Sequence, residues 1–216
     1  MKAFHNNPLI KEEYTNRLKD HYAADEIIKG TYWQKGKGCA VVCTVHSSNH
    51  LSYETQLGIP QVLAKLQDEI FEGLPNELAK EFPLQFLSAI NVGADLLKVW
   101  NYFAIWLLTD TEYGILQHID NKKVIQDIAD AYAEDITTPV TVERWKELRD
   151  SATAAYYAAN SYAAYAADAA YYVASYYASA ASANSAYAYA ADNPDKKQAW
   201  YVAASKKIIE LLTEAL

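Results

Sequence analysis

Apolar positions recur at three- and four-residue intervals along most of this chain, and no run keeps the strict alternation of a half-buried strand. The pattern predicts helices almost throughout, with slight β content. Asn7 and Pro8 read as the N-cap and first-turn residue of a helix that runs to about Lys29-Gly30. Residues 31–38 read as a loop. Helical spacing resumes at Cys39 and lasts until Leu57-Gly58-Ile59-Pro60, a stop and restart. Pro60 heads a helix whose buried stripe is Val62, Leu63, Leu66, Ile70 and Phe71. Gly73, Pro75 and Pro83 punctuate two further short helices, with Phe82, Phe86, Leu87 and Ile90 as core residues. Ala94 to Leu108 is the most apolar helix. A short element from Asp110 to Ile119 is interrupted at Gly114, and Asn121 caps a helix reaching about Glu134.

Beyond Pro139 the pattern changes. Between Ser151 and Ala191, 20 of 41 residues are Ala, 10 are Tyr, and Asp168 alone is charged. Ala is the strongest helix former, so the tract reads as helical despite its low complexity. Tyr165, Tyr172, Tyr176 and Tyr187, spaced seven, four and eleven apart, would share one face of a continuous helix. Unbroken, the tract would span ~60 Å, against ~35 Å for twice the radius of gyration of a compact chain this size. A break is expected, near Asn160-Ser161 or Asn184-Ser185, unless the helix protrudes. Asp192-Asn193-Pro194 then opens a final helix to Leu216, with Trp200, Val202, Ile208, Leu211 and Leu212 inward. Packing is the plain role for Ala and Tyr here, and a recognition surface is the other. The expected fold is all-α: a multi-helix globular domain with long Ala/Tyr-rich C-terminal helices. Residues 1–138 and 139–216 are its two parts, or one single domain.

Composition narrows the partners. A net charge of -8 over 216 residues repels phosphate backbones and argues against nucleic-acid binding. The N-terminus lacks the apolar core of a signal peptide, and no unbroken apolar run of ~18 residues suggests a membrane span. Two cysteines four apart are too few for a disulfide framework. The expectation is a cytoplasmic protein with no membrane partner, and homo-oligomerisation through the Ala/Tyr tract is left open.

The chemistry concentrates in one segment. Lys35-Gly36-Lys37-Gly38 runs into Cys39, Cys43, His46 and His50, followed by Tyr53 and Glu54. At 100° per residue, the two cysteines and two histidines fall within roughly 60° of one helical face. A metal is one reading, but Cys39 and His50 would lie ~16 Å apart along the axis, so all four cannot ligate one ion. Only Cys39/Cys43 or Cys43/His46 could act together, with further ligands from elsewhere, and no cofactor is predicted. Nucleophilic catalysis is the second reading: Cys39 beside a helix start and two lysines would have a lowered pKa. Against it stands the common fate of free Cys as a small buried hydrophobe. Binding is the third. Gly36 and Gly38 let backbone approach a ligand, Lys35 and Lys37 add charge, and Tyr32 and Trp33 can stack on a planar group. This third reading asks least of the geometry. The candidate ligand-binding set is Trp33, Lys35, Gly36, Lys37, Gly38, Cys39, Cys43, His46, His50, Tyr53 and Glu54, with no catalytic residue assigned.

The string Gly36-Lys37-Gly38-Cys39-Ala40-Val41-Val42-Cys43-Thr44-Val45-His46, with His50, Tyr53-Glu54 and Leu57-Gly58-Ile59-Pro60, resembles a family of bacterial proteins labelled immunity proteins of polymorphic toxin systems. Leu63-Ala64, Asp68-Glu69-Ile70-Phe71-Glu72-Gly73-Leu74, Gly93-Ala94-Asp95-Leu96 and Trp106-Leu107-Leu108 extend the likeness over roughly residues 3 to 135. The resemblance implies a non-enzymatic inhibitor in bacterial or phage conflict, whose partner is a protein toxin or defence factor. The alternative is a small-molecule binder, sequestering a nucleotide-type anionic signal at residues 32–54. An enzyme using Cys43 and His46 is third.

Overall fold

The computed structural model describes residues 1–159, 161–175, 178–190, 193 and 195–216, apart from the side chains of residues 161, 162, 178 and 179. The chain is all-α, with eleven α-helices and a single two-stranded hairpin among the described residues. None of these helices is long and apolar enough to cross a membrane. Two compact units are formed, one from Met1–Val99 with Ala204–Leu216 and one from Trp100–Ala203. The compositional change at residue 139 falls inside the second unit.

In the first unit, α1 (Pro8–Ala23) is capped by Asn7, whose side chain accepts from the Leu9 amide. It stops well short of Gly30. Asp25 takes a left-handed φ of 54°, and the following residues leave the helix to bond Gly38. The expected loop holds a hairpin, β1 (Trp33–Gln34) and β2 (Lys37–Gly38), paired Trp33 to Gly38 and Gln34 to Lys37. Next come α2 (Ala40–Val45), α3 (Ser52–Leu57), α4 (Gln61–Gly73) and α5 (Asn76–Ala89). The α4 stripe is close to the expected one: Leu63, Leu66, Ile70 and Phe71 are buried, joined by Ala64 and Gln67, while Val62 is half-buried. Pro83 does not divide α5 but lies inside it, buried with Phe82, Phe86 and Leu87. A proline there costs about 3 kcal/mol in an isolated helix. Packing of that apolar face against α1 and α4 offsets the lost bond.

The most apolar helix starts later than its composition suggests, as α6 (Val99–Thr109). Residues 93–95 are drawn into extended pairing with the N-terminal segment: Ala3 N–H donates to Ala94 O, and Gly93 N–H to Ala3 O. Asp95 then accepts from the Leu97 amide. In the second unit, α7 (Lys122–Asp135) follows a 3-10 turn at Ile115–His118.

The Ala/Tyr tract is divided among α8 (Val142–Ala158), α9 (Ser161–Ala174) and α10 (Ala178–Tyr189). α9 packs on both of the others. Alanines at 152, 155, 163, 166, 167, 169, 170, 174, 181, 186 and 188 are buried, which lets these helix backbones approach closely. α10 runs straight through Asn184-Ser185, so no break occurs there. Asn160, Tyr176, Asp192 and Pro194, on which parts of the expected break, stripe and final-helix start fall, lie outside the described residues. Tyr165 and Tyr187 do meet, stacked at 5.4 Å, but from two different helices rather than along one face. The last helix is α11 (Lys196–Glu214), with Trp200, Ile208, Leu211 and Leu212 buried and Val202 half-buried.

One buried polar node ties the second unit together. The Tyr132 hydroxyl accepts from Trp100 Nε1 at 3.1 Å and donates to the Val173 carbonyl at 2.5 Å, with all three residues buried. Tyr132→Phe keeps the ring and removes the hydroxyl that bonds a buried indole N–H and a buried carbonyl. A loss of about 2 kcal/mol is expected, read as a lower urea midpoint at unchanged slope. A midpoint within error of wild type would show that this node does not hold the unit together.

Candidate functional site

The hairpin and α2 build the site. Lys35 (φ 53°) and Gly36 (φ 83°) both have positive φ, the requirement of the tight two-residue turn that matches strand twist. Lys37 reaches back to the Asp25 carbonyl at 2.8 Å and to its carboxylate. Lys80 pairs with the same carboxylate, and Lys80 first, then Lys37, holds the Asp25 carboxyl below its usual range. Gly38 is the hinge between hairpin and helix. Its N–H donates to Glu26 O and its carbonyl accepts from Ile28, both at 2.9 Å. A Cβ here would lie 2.4 Å from Tyr32 O and 2.9 Å from the Trp33 ring, so only glycine fits.

The expected four-residue face is not one helix. α2 ends at Val45, and His46 takes a left-handed conformation (φ 51°) that turns the chain toward α3. Both cysteines are buried, Cys39 as the N-cap and Cys43 within the helix, where its thiol faces the Gly38 carbonyl at 3.4 Å. Burial pushes both thiols up, to about 12, instead of the lowered value that the nearby lysines suggested. The Asp68 carboxylate adds to the effect at Cys39. Neither sulfur is a thiolate at neutral pH.

The remaining residues of the segment separate. His50 Nε2 lies 3.1 Å from Asp68 Oδ2. The fully buried Tyr53 donates its hydroxyl to Gln67 Oε1 at 2.6 Å, and burial raises its phenol. Glu54 caps α4 by accepting from the Gln61 amide at 2.8 Å. These three hold the fold around α2 and α4. Cys39 lines a small cavity of about 190 Å³ with Gly30, Thr31, Tyr32, Asp68 and Glu72. Burial raises the Glu72 carboxyl although the Gly30 N–H donates to both of its oxygens.

His46 and Trp33 come together in a larger open cleft of about 600 Å³, lined also by Tyr32, Val42, Ser47 and Ser48. Tyr32 and Trp33 are half exposed, at 51% and 50%. Behind the cleft stands a group that sequence reasoning missed. His21, in the last turn of α1, has Nδ1 2.6 Å from Glu26 Oε2 and Nε2 3.0 Å from His46 Nε2. Trp33 meets the His21 ring edge-on at 6.1 Å. A His-x4-Glu pair at a helix end was the one visible signal, and it is too common to single out. His46 is pushed below its usual value by desolvation, then by Arg17 and His21, so it stays neutral at pH 7. Arg17 is engaged by the Thr44 carbonyl at 3.0 Å and by Glu13 at 2.9 Å.

The histidine pair has the geometry of a hydrogen bond and not of a chelate. The ring centroids are 5.3 Å apart while the nitrogens are 3.0 Å apart, so the rings point at each other head-on. Two imidazoles with nitrogens this close, converging on one ion, would bring their centroids nearer together. Among the described residues no three His, Cys, Asp or Glu side chains are grouped to hold a metal.

No family model matches this chain, and neither a curated protein nor a solved structure matches it. Its own architecture therefore sets its class: an all-α, multi-helix chain with an open aromatic–histidine cleft between a short hairpin and the end of a buried helix.

Proposed function

We infer that this chain is a non-enzymatic binding protein of the immunity type, which neutralises a protein toxin or defence factor by docking it at the Tyr32–Trp33–His46 cleft. The carrying observation is the pair of adjacent, half-exposed aromatic rings at the mouth of the cleft. Large rigid aromatic side chains are the usual anchors of protein recognition. Burial of both thiols supports binding over Cys/His chemistry. The acidic chain, at -8, favours a basic partner and speeds its approach.

The test is growth of a bacterial host expressing, one at a time, a panel of basic toxin domains from bacterial conflict systems, with and without the chain itself. Protection by wild type, and an affinity about 30-fold weaker in Trp33→Ala, supports the reading. Killing that the chain does not change, or affinity untouched by the substitution, overturns it. The small-ligand reading keeps one supporting observation, a volume within the ~300–1,000 Å³ typical of small-molecule pockets. Against it, Lys37 is already engaged by Asp25 and is not poised for phosphate. Native mass spectrometry after incubation with a nucleotide mixture separates the two.

A further inference from the structure

Glu26, His21 and His46 form one hydrogen-bonded row. A carboxylate only accepts, so His21 Nδ1 donates to Glu26 Oε2 at 2.6 Å. An uncharged His21 has a bare Nε2, to which His46 donates from its own Nε2 across the 3.0 Å contact. In that arrangement His46 Nδ1 is an unprotonated acceptor on an exposed ring, and no described residue donates to it. His46 ends α2 in a left-handed conformation, which histidine adopts more readily than most residues with a Cβ.

We propose that the Trp33–His46 cleft is a receptor for the guanidinium group of an arginine on the protein partner, with the His46 Nδ1 lone pair as its fixed hydrogen-bond acceptor. The proposal deepens the immunity-type reading and rests on it. Three features of the cleft select this chemistry. Trp33 and Tyr32 offer aromatic faces, which attract cations and stack on a planar guanidinium. The polar lining besides His46 is two serines, whose hydroxyls accept as well as donate. The carboxylate of Glu26, set behind the histidines, and the net charge of -8 both favour a cation over a phosphate. The nearby cation Arg17 is occupied by Glu13 and Thr44. A guanidinium is also less strongly hydrated than an ammonium and brings several N–H donors in one plane, so arginine is preferred to lysine.

The test is an NMR titration of the intact chain with N-acetyl-arginine amide, N-acetyl-lysine amide and AMP, read at the Trp33 indole and the His46 ring. Saturable binding of the arginine probe is expected, with Kd of about 1–10 mM, the weak range suited to one side chain. The lysine probe should bind about 5-fold or more weakly. His46→Asn, which tolerates the left-handed backbone, and Trp33→Ala should each weaken the arginine probe about 10-fold. Nitrogen-15 spectra at neutral pH should place the protons on His21 Nδ1 and His46 Nε2. A proton on His46 Nδ1, AMP binding in preference to arginine, or no saturable arginine shift would overturn the proposal. If Trp33 proves essential for toxin protection and the arginine probe does not bind, the immunity reading stands and this one falls. If the arginine probe binds but the chain gives no protection, the guanidinium receptor stands and the immunity reading falls.

Discussion

Raising the pH from about 8 to about 10.5 is expected to remove about 4 kcal/mol from the stability of the unit that carries the cleft, because both its thiols are buried. Cys39 and Cys43 titrate at about 12 in the folded chain, against an ordinary 9.0. A folded-state value raised above the unfolded one means the unfolded chain releases its protons first. The stabilisation is therefore fully present below pH 9.0, and is lost progressively as pH climbs toward 12. Each pH unit in that window costs about 1.4 kcal/mol per thiol. The buried Tyr53 phenol, raised by desolvation, pushes in the same direction above its own ordinary value of 10.0. Urea unfolding at the two pH values measures the loss. A Cys39→Ala/Cys43→Ala double variant, whatever its absolute stability, should show a much shallower slope with pH. An unchanged slope in that variant would mean the thiols are not the source.

Gly38→Ala is expected to cost about 3 kcal/mol and to dismantle the cleft with it. Gly38 does not have a positive φ, so the obstacle is space and not backbone strain. The new methyl would sit 2.4 Å from the Tyr32 carbonyl, and backbone cannot swing aside as a side-chain tip can. Any relief moves Tyr32 and Trp33, or breaks the bonds from Gly38 to Glu26 and Ile28. Both routes displace the aromatic wall, and the second also loosens the segment that carries Glu26. A drop in the urea midpoint, together with a change in Trp33 indole shifts, is the expected pair of results. Full stability with an unmoved Trp33 would show that the close approach at Gly38 is not rigid.

Several features of the fold were legible because they rest on local rules. Asn7-Pro8 starts α1 and the stop at Gly58-Ile59-Pro60 precedes α4, since caps and prolines act on their immediate neighbours. The period of Leu63, Leu66 and Ile70 marks the buried face of α4 for the same reason. Pro83 misled because its penalty is local, while the packing that offsets it comes from two other helices. Residues 94–98 misled in the opposite sense: they have helical composition, but the N-terminal segment competes for their backbone bonds.

The site divided along the same line. Sequence by itself determined where the chemistry is concentrated, the segment from Trp33 to Glu54, and that the chain around it is helical. Residue types, spacing and propensity are enough for that. Only the tertiary structure decided which of those residues reach solvent and which partners they meet. It buried Cys39 and Cys43, engaged His50, Tyr53 and Glu54 in contacts within the fold, and left Trp33 and His46 at the cleft. It also brought His21 across 25 residues to His46. Periodicity reports one element at a time. The hydrogen bond between those two rings exists because α1 and α2 pack, and packing is set by the sum of many apolar contacts distributed over the chain.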